Sequence, residues 1–144
     1  MAVVSLRDRA IRLLARREYA RIELERRLLA RGGERSEVRA VLSELEAEGL
    51  LSDARYARAM VGRRMGSFSR ARIGEELKAA GLSRDVIDAA LLEGELDDAV
   101  ALRAIWQRRF GRVPVDDRDK ARQVRFLQSR GFALSAILKL LRGA

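Results

Sequence analysis

Three glycines, Gly32, Gly81 and Gly131, stand 49 and 50 residues apart, each in the same apolar frame. Leu28, Leu77 and Leu127 precede them by four residues, and Val38, Ile87 and Ile137 follow at plus six. Leu42, Leu91 and Leu141 come at plus ten, and an Arg-Arg pair lies upstream of each glycine (Arg16-Arg17, Arg63-Arg64, Arg108-Arg109). A chain that repeats itself three times in 144 residues folds as an array, because each unit covers its apolar face with its own helices and with its neighbour. Arrays of this kind present long binding surfaces.

The units read as helical. Apolar residues recur at intervals of three and four: Leu6, Ala10, Leu13-Leu14; then Ile22, Leu24, Leu28-Leu29; then Val38, Val41-Leu42, Leu45. The pattern returns twice, and Ala, Leu, Arg and Glu, all favourable in helices, dominate the composition. The chain is therefore predicted to be all-α, as three tandem three-helix repeats over 1–52, 53–94 and 95–144. Ser52-Asp53, Ser69, Ser83 and Asp116 offer side-chain acceptors to free amides at helix starts. Gly49 and the repeat glycines suit the left-handed residue that ends a helix. The linker Gly111–Asp116, which holds the only proline, Pro114, is longer than its equivalents, so the third unit is expected to open wider. Trp106, Phe110, Phe126 and Phe132 are expected to be core; a stacking platform for unpaired bases is the competing reading.

Equipment for catalysis is lacking. The chain has neither cysteine nor histidine, which removes thiolate chemistry, disulfides and any imidazole base. Glu75-Glu76, Asp97-Asp98 and Asp116-Asp117 are adjacent pairs that diverge by about 100° on a helix, so they read as caps and surface charges. No phosphate-binding glycine loop or nucleophile elbow occurs. The expectation is a protein that is not an enzyme and uses no metal or cofactor. No apolar run approaches a membrane span, and the first residues do not form a signal peptide; a cytoplasmic protein without a membrane partner is expected.

Charge points to the partner class. Thirty Lys and Arg against 21 Asp and Glu give a formal charge of +9, which favours nucleic acid, an acidic protein surface or an anionic membrane, in that order. Only three of the 30 are lysines, so an arginine-rich genome with solvated helix faces is the alternative. The units carry +2, +2 and +5, with Arg118, Lys120, Arg122, Arg125 and Arg130 along one predicted helix. The arginines expected on one binding face are Arg16, Arg17, Arg63, Arg64, Arg72, Arg108, Arg109, Arg122, Arg125 and Arg130. Cations in a last helical turn also offset the helix dipole, so capping and ligand contact both remain open for the Arg-Arg pairs. Reading of duplex DNA by a helix-turn-helix is disfavoured, because Ser83–Asp88 and Leu134–Lys139 lack the Asn, Gln and Arg set that base edges require.

Particular strings carry a resemblance. Gly49-Leu50-Leu51-Ser52-Asp53-Ala54-Arg55-Tyr56-Ala57, then Arg72-Ile73-Gly74-Glu75-Glu76-Leu77 and Gly81-Leu82-Ser83, resemble the central signature of the RecX family, bacterial regulators of the RecA recombinase. Arg17–Leu24 is similar to the family's N-terminal motif, and Lys120–Phe132 to its C-terminal motif. Ala20 and Ala133 stand where the family commonly has serine, and Gly32-Gly33 replaces a glycine-aromatic pair. The resemblance implies a curved, elongated monomer of three three-helix repeats, a right-handed-type helical array. It implies a non-enzymatic role: binding the RecA–single-stranded-DNA filament, with weaker affinity for single-stranded and for double-stranded DNA alone. It further implies inhibition of filament extension, ATP hydrolysis, strand exchange and co-protease activity. A general nucleic-acid-binding helical module without a recombinase partner is the alternative, and a helical scaffold with merely solvating charge is a third.

Overall fold

The computed structural model describes residues 5–143, and every regular element among them is a helix. The helices come in successive trios: α1 (Leu6–Leu14), α2 (Arg21–Ala30) and α3 (Arg35–Ala47); α4 (Asp53–Arg64), α5 (Arg70–Ala79) and α6 (Arg84–Glu93); α7 (Asp98–Arg109), α8 (Asp117–Ser129) and α9 (Leu134–Gly143). Their starts have local chemical causes. Ser52, Ser69, Ser83 and Asp116 accept from the backbone N–H of Arg55, Arg72, Val86 and Asp119, and Ser5 and Asp97 do the same at α1 and α7. Each such cap contributes about 1 kcal/mol.

Every trio encloses its own apolar cluster. Leu24, Leu28, Val38, Leu42 and Leu45 fill the first, with Ala10 and Tyr19. Tyr56, Met60, Ile73, Leu77, Ile87 and Leu91 belong to the second; Leu102, Ile105, Trp106, Leu127, Ile137 and Leu141 belong to the third. The residues at minus four, plus six and plus ten from each repeat glycine are thus core in every trio. Each fully buried leucine contributes about 1.5–3 kcal/mol. The chain exposes 9295 Å², about a quarter more than the ~7,500 Å² of a compact monomer of its mass. That excess fits a helical repeat array whose units touch only their neighbours.

The joints between trios repeat as well. Ala20 gives α2 no side-chain cap, and the Arg21 N–H instead donates to Asp53 Oδ1 at 2.7 Å, the first residue of α4. One unit on, the Arg70 N–H donates to Asp98 Oδ1 at 2.8 Å, the first residue of α7. The glycine turns complete each joint. A Cβ on Gly81 would lie 2.5 Å from Ile22 Cδ1, and one on Gly131 would meet Ser69 Oγ and stand 2.6 Å from Arg72 Cβ. Gly32 has open space where a Cβ would go. The turns at 81 and 131 therefore serve two purposes, chain reversal at positive φ and close approach to the preceding unit. Asp53→Ala is expected to lower stability by about 1–2 kcal/mol, read as a fall in the urea midpoint at unchanged slope.

The long linker is tied to the third core by one buried side chain. Gln123, 1% exposed, accepts from Trp106 Nε1 at 2.9 Å and donates through Nε2 to the Arg112 carbonyl at 3.2 Å. The Val115 N–H also donates to Asp119 Oδ2 at 3.1 Å. In this trio α7 packs against α9 and is joined to α8 through the Trp106–Gln123 hydrogen bond. Trp106 and Phe132 are buried, as expected of core aromatics.

Candidate functional site

The joint between the second and third trios gathers arginines and phenylalanines into an alternating ridge. Arg64, at the end of α4, lies over Phe68 with 5.5 Å to the ring centroid, and Arg72, in the first turn of α5, lies over the same ring at 5.3 Å. Arg130, which caps the C-terminal end of α8, approaches both Phe68 and Phe126, each at 5.0 Å. Arg109 covers Phe126 at 4.8 Å and Arg122 covers Phe110 at 5.3 Å. Phe110 and Phe126 meet edge to face with centroids 5.6 Å apart. Arg108 Nη2 adds a hydrogen bond to the Gly66 carbonyl at 2.8 Å, and Arg72 Nη1 one to the Ser129 carbonyl, also at 2.8 Å.

The rings fix the cations. Each guanidinium gains about 0.5–1 kcal/mol from the ring quadrupole at an exposed position. It also gives up rotamer freedom before any ligand arrives, which lowers the ordering cost of binding. A hollow of about 240 Å³ opens beside Ser67, Ile105, Arg108, Arg109, Phe126 and Arg130. Forked N–H donors held this way suit carboxylates and phosphates alike. With Phe110 and Phe126 facing guanidinium groups and Trp106 buried, these rings serve as supports for cations.

Neighbouring carboxylates sort the ten arginines expected on a binding face. Arg17 donates to both oxygens of Glu23 at 3.2 and 2.9 Å and lies 3.7 Å above Tyr19; the Glu23 hydrogen bond raises its pKa further above the ordinary value. Arg64 pairs with Glu76 at 3.1 Å and Arg122 with Asp119 at 2.8 Å. The Arg122 hydrogen bond, followed by that of the Val115 N–H, holds the Asp119 carboxyl below the usual carboxylate range. Among the described residues Arg16, Arg63, Arg72, Arg108, Arg109, Arg125 and Arg130 pair with no carboxylate.

Six of the ten meet on the ridge: Arg64, Arg72, Arg108, Arg109, Arg122 and Arg130. Arg125 lines a second hollow with Arg112, Arg118 and Arg122 on α8 and its preceding linker. Arg63 is exposed on α4, and Arg16 belongs to a groove in the first trio. Phe68 escaped the sequence reading, although its spacing of four from both Arg64 and Arg72 was visible.

Among the described residues no group of His, Cys, Asp and Glu is placed to hold a metal ion, and no helix is long and apolar enough to cross a membrane. Among the described residues, buried side-chain polar atoms all have partners.

Family comparison gives two consecutive matches. Residues 52–91 match the second three-helix domain of RecX, and residues 97–141 the third. The regulatory protein RecX of Ralstonia pickettii is 39% identical over 98% of this chain and 89% of its own length. That of Pseudomonas fluorescens Pf-5 is 46% identical over 98% and 92%. The crystal structure of RecX from Lactobacillus salivarius superposes with a TM-score of 0.71 at 18% identity, covering 96% of both chains. A second RecX crystal structure gives 0.74 at 19% identity over 96% of this chain and 70% of the other.

Proposed function

The chain belongs to the RecX family of regulatory proteins, and from that membership we propose that it restrains homologous recombination by binding the RecA–single-stranded-DNA filament. The bound protein limits filament extension, ATP hydrolysis, strand exchange and co-protease activity. It acts in the cytoplasm as a monomer without catalysis of its own, using three units over 1–52, 53–94 and 95–144.

The observation that carries this reading is the arginine ridge across the joint between two repeats. A filament is itself a repeat of one subunit, so units in series can engage successive subunits. Each contact then raises the effective concentration of the next. Cations held against rings match filament carboxylates or backbone phosphates without first being ordered.

The test is titration into preformed filaments, following ATPase and filament length, with naked single-stranded DNA at matched salt as control. Inhibition at concentrations too low to coat naked DNA is the expected result. Inhibition only at coating concentrations would instead establish a general nucleic-acid-binding module. Arg122→Glu with Arg125→Glu is expected to weaken ATPase inhibition about 3- to 10-fold, since exposed charge contacts contribute about 1 kcal/mol or less each. Unchanged inhibition would remove Arg122 and Arg125 from the contact surface.

A further inference from the structure

The first trio holds a second concentration of charge, which the ridge does not include. Arg9, Arg12, Arg16, Arg27 and Arg31 line a groove of about 500 Å³ between α1 and α2, over Leu13 and Leu28. None of the five pairs with a carboxylate among the described residues. Arg12, Arg16, Arg27 and Arg31 are exposed. Arg9 is half-buried, and its Nη1 donates to the Arg31 carbonyl at 3.4 Å, tying the two walls together.

The contrast within the trio is informative. Arg7 meets Glu44 and Glu48, Arg17 meets Glu23, Arg21 meets Glu46 and Arg39 meets Glu25. Carboxylates thus neutralise four arginines outside the groove, with Arg26 and Arg35 the unpaired exceptions among the described residues, while all five inside it stay unpaired. Like charges crowded without counter-charge repel one another, and a polyanion in the groove would relieve that repulsion.

We propose that this groove is a separate site for the phosphodiester backbone of nucleic acid. Arg9, Arg12 and Arg16 recur at intervals of three and four along α1 and the turn that continues it. At the helical rise they make a row of about 10 Å, roughly three phosphate spacings of about 3.4 Å along one strand of a duplex. Arg27 and Arg31 supply the facing wall. An acidic protein fits less well, because its docking needs a buried apolar centre. Leu28 is 1% exposed and Leu13 half-buried, so of the two floor leucines only Leu13 offers apolar surface to an anchor side chain. Backbone phosphates need charge alone, and binding through them is blind to sequence.

The experiment uses the full chain without recombinase, so its outcome is independent of the filament reading. Binding to a fluorescent single-stranded oligonucleotide, and to its duplex, is measured across a salt series. Arg12→Gln/Arg16→Gln/Arg31→Gln is expected to reduce single-strand affinity about 10- to 100-fold at 0.1 M salt. It should also flatten the slope of log K against log salt by about 2, or roughly 0.7 per lost phosphate contact. The corresponding Lys variant should retain most of the slope, which separates lost charge from lost fold. Comparable losses on both nucleic acids assign the groove to the shared backbone, and loss on one alone assigns it to that form. The proposal is overturned if the Gln variant binds as the parent does, or if it loses affinity with the slope unchanged. It is equally overturned if a poly-glutamate peptide displaces the strand at lower charge concentration than unlabelled oligonucleotide, which would reassign the groove to acidic protein.

Discussion

Arg109→Glu with Arg130→Glu is expected to reduce inhibition of the filament ATPase by about 100-fold while the protein stays folded. The two residues occupy the centre of the ridge, cover Phe126 from 4.8 and 5.0 Å, and have no carboxylate partner among the described residues. Reversal removes two attractive contacts and installs two repulsive ones. Each lost exposed contact costs about 1 kcal/mol or less, like-charge juxtaposition costs several kcal/mol more, and ~3 kcal/mol is already a factor of about 100. The folding cost is smaller, because each lost ring contact is worth about 0.5–1 kcal/mol. Arg109→Lys with Arg130→Lys keeps the charge but loses the flat fork, and should fall between parent and reversal. Equal inhibition by parent and Glu variant, with both folded by circular dichroism, would take the ridge out of the mechanism.

The second large effect concerns the glycines. Gly131→Ala is expected to destabilise the protein by about 2–5 kcal/mol, Gly81→Ala by somewhat less, and Gly32→Ala by about 1–2 kcal/mol. All three residues sit at positive φ (96°, 87° and 90°), so the left-handed cost is common to them. The order comes from what a methyl group would meet. At 131 it meets the Ser69 side chain and Arg72 Cβ, which cannot swing away. At 81 the nearest atom is the far end of Ile22, which can turn aside, although Ile22 Cβ stands 3.2 Å off. At 32 it meets nothing within 4 Å. Urea denaturation of the three variants checks the ranking. Equal losses would mean that chain reversal alone selects glycine, with no contribution from the joints.

These contrasts also mark what the amino-acid sequence could disclose. Helix starts were legible because a cap is local: Ser52, Ser69, Ser83 and Asp116 act within three residues of themselves. Core identity was legible through the threefold spacing around the glycines. The joints were not, since the Asp53 contact to the Arg21 N–H spans 32 residues and the Asp98 contact to Arg70 spans 28. Those aspartates read simply as helix-start residues. Arginine roles were only half legible, because Arg17 is neutralised by Glu23 across a turn, whereas Arg109 finds Phe126 on another helix. The first-trio groove needed α1 and α2 folded against each other before Arg9, Arg12 and Arg16 could face Arg27 and Arg31. Of the groove's arginines, Arg16 alone stood out beforehand, through its repeated pair.

The cross-joint caps give the polypeptide a direction in time. On the ribosome α2 emerges with Ala20 at its start and no side chain to close it, and its acceptor, Asp53, is synthesised 32 residues later. At ordinary elongation rates that is a lag of about 2–6 s. The next trio repeats the dependence more mildly, because Ser69 already caps α5 before Asp98 arrives. In the last trio Asp116 closes α8 from within. Maturation should therefore run from the amino end with each trio sealed by the next, and a nascent chain stalled before residue 53 should carry a frayed α2 accessible to protease.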